Sequence, residues 1–208
     1  MRFLMDAEQR AFSASLDAML TAADTPAVIR DWSRGDHVRG RALWARVAEA
    51  GVFALAVPET HEGLGLRPVE LTLAFVELGR HAAPGPLVET AAAAALLAGL
   101  DDPGPAKRLL PALASGESTA TLATGPYALD ADVADIRLTL STPVQGSRGR
   151  SPLGAGSKGR QPLEDGTGRG GGGEENPTEL RLAPPPGSPH PTLDPARRLF
   201  ETPRGGEL

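Results

Sequence analysis

Between Thr142 and Pro191 the chain carries 21 glycines and prolines in 50 residues, with only seven apolar residues and no Phe, Trp or Tyr. A share above roughly 25–30% Gly plus Pro marks low-complexity chain. Such a stretch cannot bury enough apolar surface to offset a backbone ordering cost of roughly 1–2 kcal/mol per residue. Residues 142–191 are therefore expected to be disordered. Of the 208 residues, the first 141 must supply the core, with a short return of order at "TLDPARRLFET", Thr192 to Thr202.

Those 141 residues read as helices followed by strands. Asp6 can cap a first helix, and Gln9 stands three residues on, as a capping box requires. Phe12, Leu16, Met19 and Leu20 then form one apolar stripe. Asp24 to Asp36 reads as a loop or broken helix around Pro26 and Gly35. A second helix covers Gly40 to Ala50, with Leu43, Trp44, Val47 and Ala48 inward, and Gly51 sits where a left-handed helix end belongs. Val52 to Val57 is a short apolar connector closed by Pro58. Pro68 opens a third helix from a favoured first-turn position. Its residues are apolar nearly all round, so it is expected to be buried on several sides. Leu87 to Leu100 and Pro105 to Ala114 complete the helices. "STATLAT" (Ser118 to Thr124) and "ADIRLTL" (Ala134 to Leu140) read as strands.

Several function classes fall away on composition. The formal net charge is −5, and the 208 residues contain no cysteine. A basic nucleic-acid face is not in evidence, nor are disulfides, thiolate metal sites or a Cys nucleophile available. No apolar run reaches the roughly 18 residues of a membrane helix. The opening "MRFLMDAEQR" lacks the pattern of a signal peptide, so a cytoplasmic location is expected.

Individual motifs favour plain structural roles. Gly63-Leu64-Gly65 has no third glycine and no proper preceding strand, so it reads as a tight turn rather than a phosphate cradle. His37, His61, His81 and His190 have no metal-ligand spacing, and no metal site is assigned. Glu70 and Glu77 lie two turns apart on one helix face; pairing with Arg80 or a neighbouring arginine is the simpler reading than a catalytic carboxylate pair. Ser118 and Thr119 have no base nearby. Arg197-Arg198 reads as a solvated pair, with a phosphate or a partner's acids as the alternative.

The order of these pieces resembles the N-terminal part of the acyl-CoA dehydrogenases. The matching residues are Gly51, "FALAVPE", Gly63-Leu64-Gly65, then Glu70, Glu77, Gly79 and Arg80. "LLPALASGE" (Leu109 to Glu117) resembles the lead-in to that family's middle β-domain, "GPYALDADVADIRLTL" its start, and "TLDPARRL" a later piece of it. The resemblance implies a mainly α fold: a helical N-terminal domain over residues 1–116, the start of the β-domain over 117–141, the low-complexity segment over 142–191, and a β-domain remnant over 192–208. It implies FAD as cofactor and acyl-CoA thioesters as substrates, dehydrogenated across Cα–Cβ. Thr124 is the best positional match to a threonine near the flavin, although Gly125 follows where many relatives have Glu. The catalytic carboxylate belongs to a C-terminal helical domain that this sequence lacks, so no catalytic residue is assigned. The chain is expected to be inactive alone and to hold FAD weakly. Self-association, or pairing with a complete homologue as a non-catalytic subunit, is the partner expectation. The Gly-Arg-Pro-Ser character of the interrupting segment fits either a coding frame lost and regained or an inserted linker.

Overall fold

A computed structural model describes residues 4–141, 179–202 and 206–208. Six helices come first: α1 (Ala7–Ala22), α2 (Thr25–Ser33), α3 (Val38–Glu49), α4 (Pro68–Arg80), α5 (Leu87–Ala98) and α6 (Pro103–Ala114). Six short strands follow: β1 (Ala120–Ala123), β2 (Tyr127–Leu129), β3 (Ile136–Ser141), β4 (Glu179–Leu182), β5 (Pro189–His190) and β6 (Leu199–Glu201).

The start of α1 is the capping box expected from its residues. The Asp6 carboxylate accepts from the Gln9 backbone N–H at 2.8 Å, and the Gln9 side-chain oxygen accepts from the Asp6 N–H at 3.1 Å. Leu16 and Leu20 are buried, with Phe12 and Met19 packed beside them. Of the two readings of Asp24 to Asp36, a loop or a broken helix, the helix is found: α2 occupies Thr25–Ser33 and Gly35 follows it at φ +82°. Pro26 falls in the first turn of α2, where its missing N–H breaks no helical bond. Val28 and Trp32 point inward. Gly51, after α3, adopts φ +77° as expected.

The apolar connector Val52 to Val57 is buried at every position, and Phe53–Ala56 forms a 3-10 turn rather than an extended piece. A buried backbone must find partners. The loop after Pro58 supplies them: Leu64, Gly65 and Arg67 donate their N–H groups to the carbonyls of Ala54, Val57 and Leu55 at 2.9, 3.0 and 3.1 Å. Gly63 is forced by this approach, since a Cβ there would lie 1.9 Å from the Val57 carbonyl oxygen. The Gly63-Leu64-Gly65 stretch is thus a packing turn.

The 3-10 turn stands between two apolar clusters. Phe53 joins Leu16, Leu20, Leu43, Val47 and Leu78. Ala54, Ala56 and Val57 join Leu97, Leu110, Leu113 and Leu138. α4 is less enclosed than its composition suggests. Ala74, Glu77 and Leu78 are buried against α1, whereas Val69 and Val76 are about half exposed. Apolar composition does not by itself provide a neighbour for every face, and the outer side of α4 has none among the described residues.

The strands form two three-stranded sheets, ordered β1-β3-β4 and β2-β6-β5. β1 and β3 are parallel; the other pairs are antiparallel. Thr90 of α5 fastens the helices to the first sheet, its hydroxyl donating to the Ala120 carbonyl and accepting from the Ala120 N–H, both at 2.9 Å. β4 and β5 fall inside the span expected to be disordered. Averaging over 50 residues hid the alternation of "ELRL", in which Leu180 and Leu182 pack on the core while Glu179 and Arg181 face outward. The rest of that expectation, residues 142–178, lies outside the described residues.

Two outcomes test this arrangement. Leu78→Ala is expected to lower the unfolding free energy by about 2–5 kcal/mol, whereas the half-buried Phe75→Ala loses less; urea denaturation of both variants gives the order. Ser141 and Glu179 are paired across the β3–β4 ladder, so an Asn-Gly turn in place of 142–178 should close the hairpin directly. The shortened chain is expected to melt at or above the temperature of the full one, in a single transition.

Candidate functional site

Thr124, the residue matched to the flavin-proximal threonine, follows the last residue of β1 and is exposed, as are Gly125, Pro126 and Tyr127. Gly125 has no atom within 4 Å of where a Cβ would stand. The rim continues through Tyr127, whose ring meets His190 edge-on at 4.9 Å. Thr202 closes the turn by donating its N–H to the Pro126 carbonyl at 2.9 Å. β1 and β2 are tied beneath the rim by the Thr121 hydroxyl, which donates to the Leu129 carbonyl at 2.6 Å. The result is an open, polar edge on a rigid base.

Behind this edge lies a buried polar junction that the sequence reading did not find. Asp130 follows β2 with φ +48° and is 1% exposed. Trp32 of α2 donates its indole N–H to Asp130 Oδ1 at 3.3 Å. Arg198 Nε stands 3.5 Å from the same oxygen, while its two terminal nitrogens form a bidentate pair with Asp132 at 2.7 and 2.9 Å. The guanidinium also faces the rings of Trp32 and Phe200, 5.9 and 5.8 Å from their centroids. His37 meets Trp32 edge-on at 4.5 Å. Arg198 is therefore mostly buried in ion pairs rather than solvated. Burial pushes the Asp130 carboxyl up to about 6, with Arg198 and the Trp32 hydrogen bond pulling the other way. Burial, then Arg198, lowers the His37 pKa below its usual value. The signal available in the sequence was only the spacing of Asp130 and Asp132 and the adjacent arginines; the contact with Trp32 spans 98 residues.

Of the α4 carboxylates, Glu77 pairs with Arg80 as read from the sequence, whereas Glu70 takes Gln9 of α1 rather than an arginine as its partner. Glu70 accepts from the Gln9 side chain at 3.0 Å, which holds its carboxyl below the usual range. Glu77 is buried and accepts from Ser13 at 2.7 Å and Arg80 at 3.0 Å. Asp17 and His81 meet at 2.8 Å beside Glu77, a trio scattered in sequence that the fold gathers. Its carboxylates already carry His81, Arg80 and Ser13 as partners. Ser118 and Thr119 lie ahead of β1; contrary to the expectation of no base nearby, the Thr119 hydroxyl donates to the Asp135 carboxylate at 2.9 Å, which also accepts the Thr119 backbone N–H and so ties the start of β1 to that of β3. Two open clefts of about 370 and 380 Å³ lie on the helical layer, one beside Arg39 and Arg46, the other along Leu71, Thr72, Phe75 and Val76. Thr124 lines neither.

Arg198→Met removes the only cation paired with both Asp130 and Asp132 among the described residues. Breaking a buried pair from one side leaves an uncompensated charge and typically costs 3–5 kcal/mol. A loss of about that size at pH 7.5, with partial recovery in Arg198→Lys, is expected from urea denaturation.

Residues 6–117 match the profile described as "Acyl-CoA dehydrogenase, N-terminal domain". The acyl-CoA dehydrogenase IpdE2 of Mycobacterium tuberculosis is 34% identical over 114 residues, covering 53% of this chain and 35% of that protein. The chain thus spans about a third of that relative's length. Among solved structures, an acyl-CoA dehydrogenase complexed with FAD from Bacillus anthracis matches with TM-score 0.60 at 14% identity, over 96% of this chain and 36% of the other. The ChsE4-ChsE5 complex from Mycobacterium tuberculosis matches with TM-score 0.58 at 23% identity, over 68% of this chain and 46% of the other. These two likenesses concern the fold. With the helical order, the Gly63 turn and the following strands in place, the sequence match decides the assignment: the chain belongs to the acyl-CoA dehydrogenase family, of which it carries the N-terminal helical domain.

Proposed function

We propose that this chain supplies one side of a flavin site for the α,β-dehydrogenation of acyl-CoA thioesters and does not complete that site alone. The observation that carries this reading is the position of Thr124. The residue that the family resemblance sets near the flavin stands exposed at a strand end, beside a glycine with open space around it, on a rim apart from the two clefts of the helical layer. These residues fit one face of a planar cofactor: the Thr124 hydroxyl can donate to a ring heteroatom, and Gly125 leaves room for close approach. FAD, when bound, supplies the hydride acceptor. The role of the chain's own residues is to bind and orient.

The remaining parts follow from the family resemblance. We assign residues 1–116 to the helical domain and 117–141 with 192–208 to an incomplete middle β-domain. The α-proton base is assigned to a further helical domain, and no residue of this chain is given that role. A half-site keeps part of the contacts yet still meets the association cost of several kcal/mol, so FAD binding by the isolated chain is weak.

A second reading is favoured by one comparison. A relative of this fold is described as a complex of two chains, ChsE4 and ChsE5. Pairing of this chain with a complete homologue would supply the missing side of the rim.

The test is to purify the chain, titrate it with FAD by flavin fluorescence, and assay butyryl-, octanoyl- and palmitoyl-CoA with a dye acceptor. The expected result is colourless protein without turnover. Activity that appears only on mixing with a complete homologue, and falls in Thr124→Ala, supports the paired reading. A stoichiometric yellow protein that turns over acyl-CoA alone refutes the half-site proposal.

A further inference from the structure

At the Asp130 junction the helical layer and the β2-β6-β5 sheet meet around buried charge. Trp32 and His37 come from the helical side. Asp130 and Asp132 follow β2, and Arg198 precedes β6. Within the sheet the Asp130 N–H donates to the Arg198 carbonyl at 2.7 Å, extending the β2–β6 ladder, so the hydrogen bond that crosses to the helical layer in this junction is the one from Trp32 to Asp130. Trp32 itself is clamped: a Cβ on Gly40 would lie 2.3 Å from its ring. The indole is thus packed directly on the α3 backbone.

The junction is also incompletely satisfied. Asp130 Oδ2, Arg198 Nε and His37 Nε2 are buried without hydrogen-bond partners among the described residues. A buried polar group left without a partner loses its hydration without replacement, and the loss is greatest when the group is charged. Arg198 directs both terminal nitrogens to Asp132, leaving Asp130 a side-on approach through Nε. Asp130 is further held at φ +48°, a left-handed conformation that a non-glycine residue adopts under constraint. A buried carboxylate that is strained, half-partnered and joined to a second layer is suited to control whether the layers stay together.

We propose that the Trp32–Asp130–Arg198 junction is a proton-operated latch between the helical layer and the β2-β6-β5 sheet, closed when Asp130 carries a proton and loosened when its carboxylate is left charged in the buried site. It is independent of flavin binding and of the half-site reading.

The electrostatics give the direction. The charged and titratable groups facing Asp130 and its neighbour His37 are Arg198 ahead of β6, Asp132 after β2, Asp36 in the α2–α3 connection and Arg41 on α3. The Asp130 pKa rises from 3.8 to about 6 in the fold, chiefly through burial. The closed state therefore binds the proton more tightly than an opened state with an ordinary carboxyl. Its advantage is complete below the ordinary carboxyl value and is lost as pH rises through about 6. His37 has the opposite sign: its lowered pKa favours the neutral ring, so its contribution is lost as pH falls below the usual histidine value. Removing His37 isolates the Asp130 effect.

The experiment is amide exchange on the full chain, with rates corrected for the intrinsic pH dependence of exchange. In His37→Gln, opening at Tyr127–Leu129 and Leu199–Glu201 is expected to be about tenfold more frequent at pH 7.5 than at pH 5.0, the ratio that follows from the two Asp130 values. Amides of α5 should not change. Adding Asp130→Asn should abolish the rise. Equal protection at the two pH values in His37→Gln overturns the latch, as does an undiminished rise in the double variant. Should either variant fail to fold, carbon-detected NMR titration of the aspartate carboxyls in the wild-type chain decides. A midpoint for Asp130 well above the other aspartates, coincident with loosening of β6, supports the latch; an ordinary midpoint overturns it.

Discussion

The backbone of Val52–Val57 is the constraint on which the helical layer depends. Six consecutive buried residues bring six peptide groups out of water, and no strand among the described residues pairs with them. A 3-10 turn satisfies part of the demand, and the 63–67 loop folds back to satisfy more. That loop can close only because Gly63 presents no side chain to the Val57 carbonyl. Once closed, the segment offers Phe53 to the cluster around Leu16, Leu20 and Val47, and Ala54, Ala56 and Val57 to the cluster around Leu97, Leu110 and Leu113. One short piece of chain thereby welds two helix packings into one layer.

The sheets attach to that layer by two chemically different means. On the α5 side the bond is neutral and complete: Thr90 donates to and accepts from Ala120 in a fully buried setting. On the α2 side it is charged and incomplete, with Asp130 and Arg198 each retaining an unpartnered atom. The first attachment holds β1 close to α5 and so fixes the base of the Thr124 rim. The second holds β6, and through it β2 and β5.

Local rules explain why some elements were legible in advance. The capping box of α1, the left-handed Gly51 and the first-turn position of Pro68 each depend on a few neighbouring residues, and each appears as read. For α2 the residues leave a loop and a broken helix both open, because Pro26 breaks a helix from its interior but removes no bond in its first turn. β2 was missed because three residues carry too little periodicity to register. α4 was read as enclosed because its residues are apolar, but enclosure requires neighbours, and α1 covers only one side.

By itself the sequence determined most of the helices, strands β1 and β3, the tight glycine turn, the pairing of Glu77 with Arg80, and the family. These rest on residues close together in the chain or on a motif read along it. Tertiary structure alone decided that β4 emerges from a Gly/Pro-rich span, because a four-residue strand is stable only against the β3 it pairs with. It alone gathered Asp17, Glu77 and His81, and it alone set Trp32 against Asp130 across 98 residues of chain. Such contacts depend on how the layers stack, and no local periodicity encodes which buried charge will find which arginine.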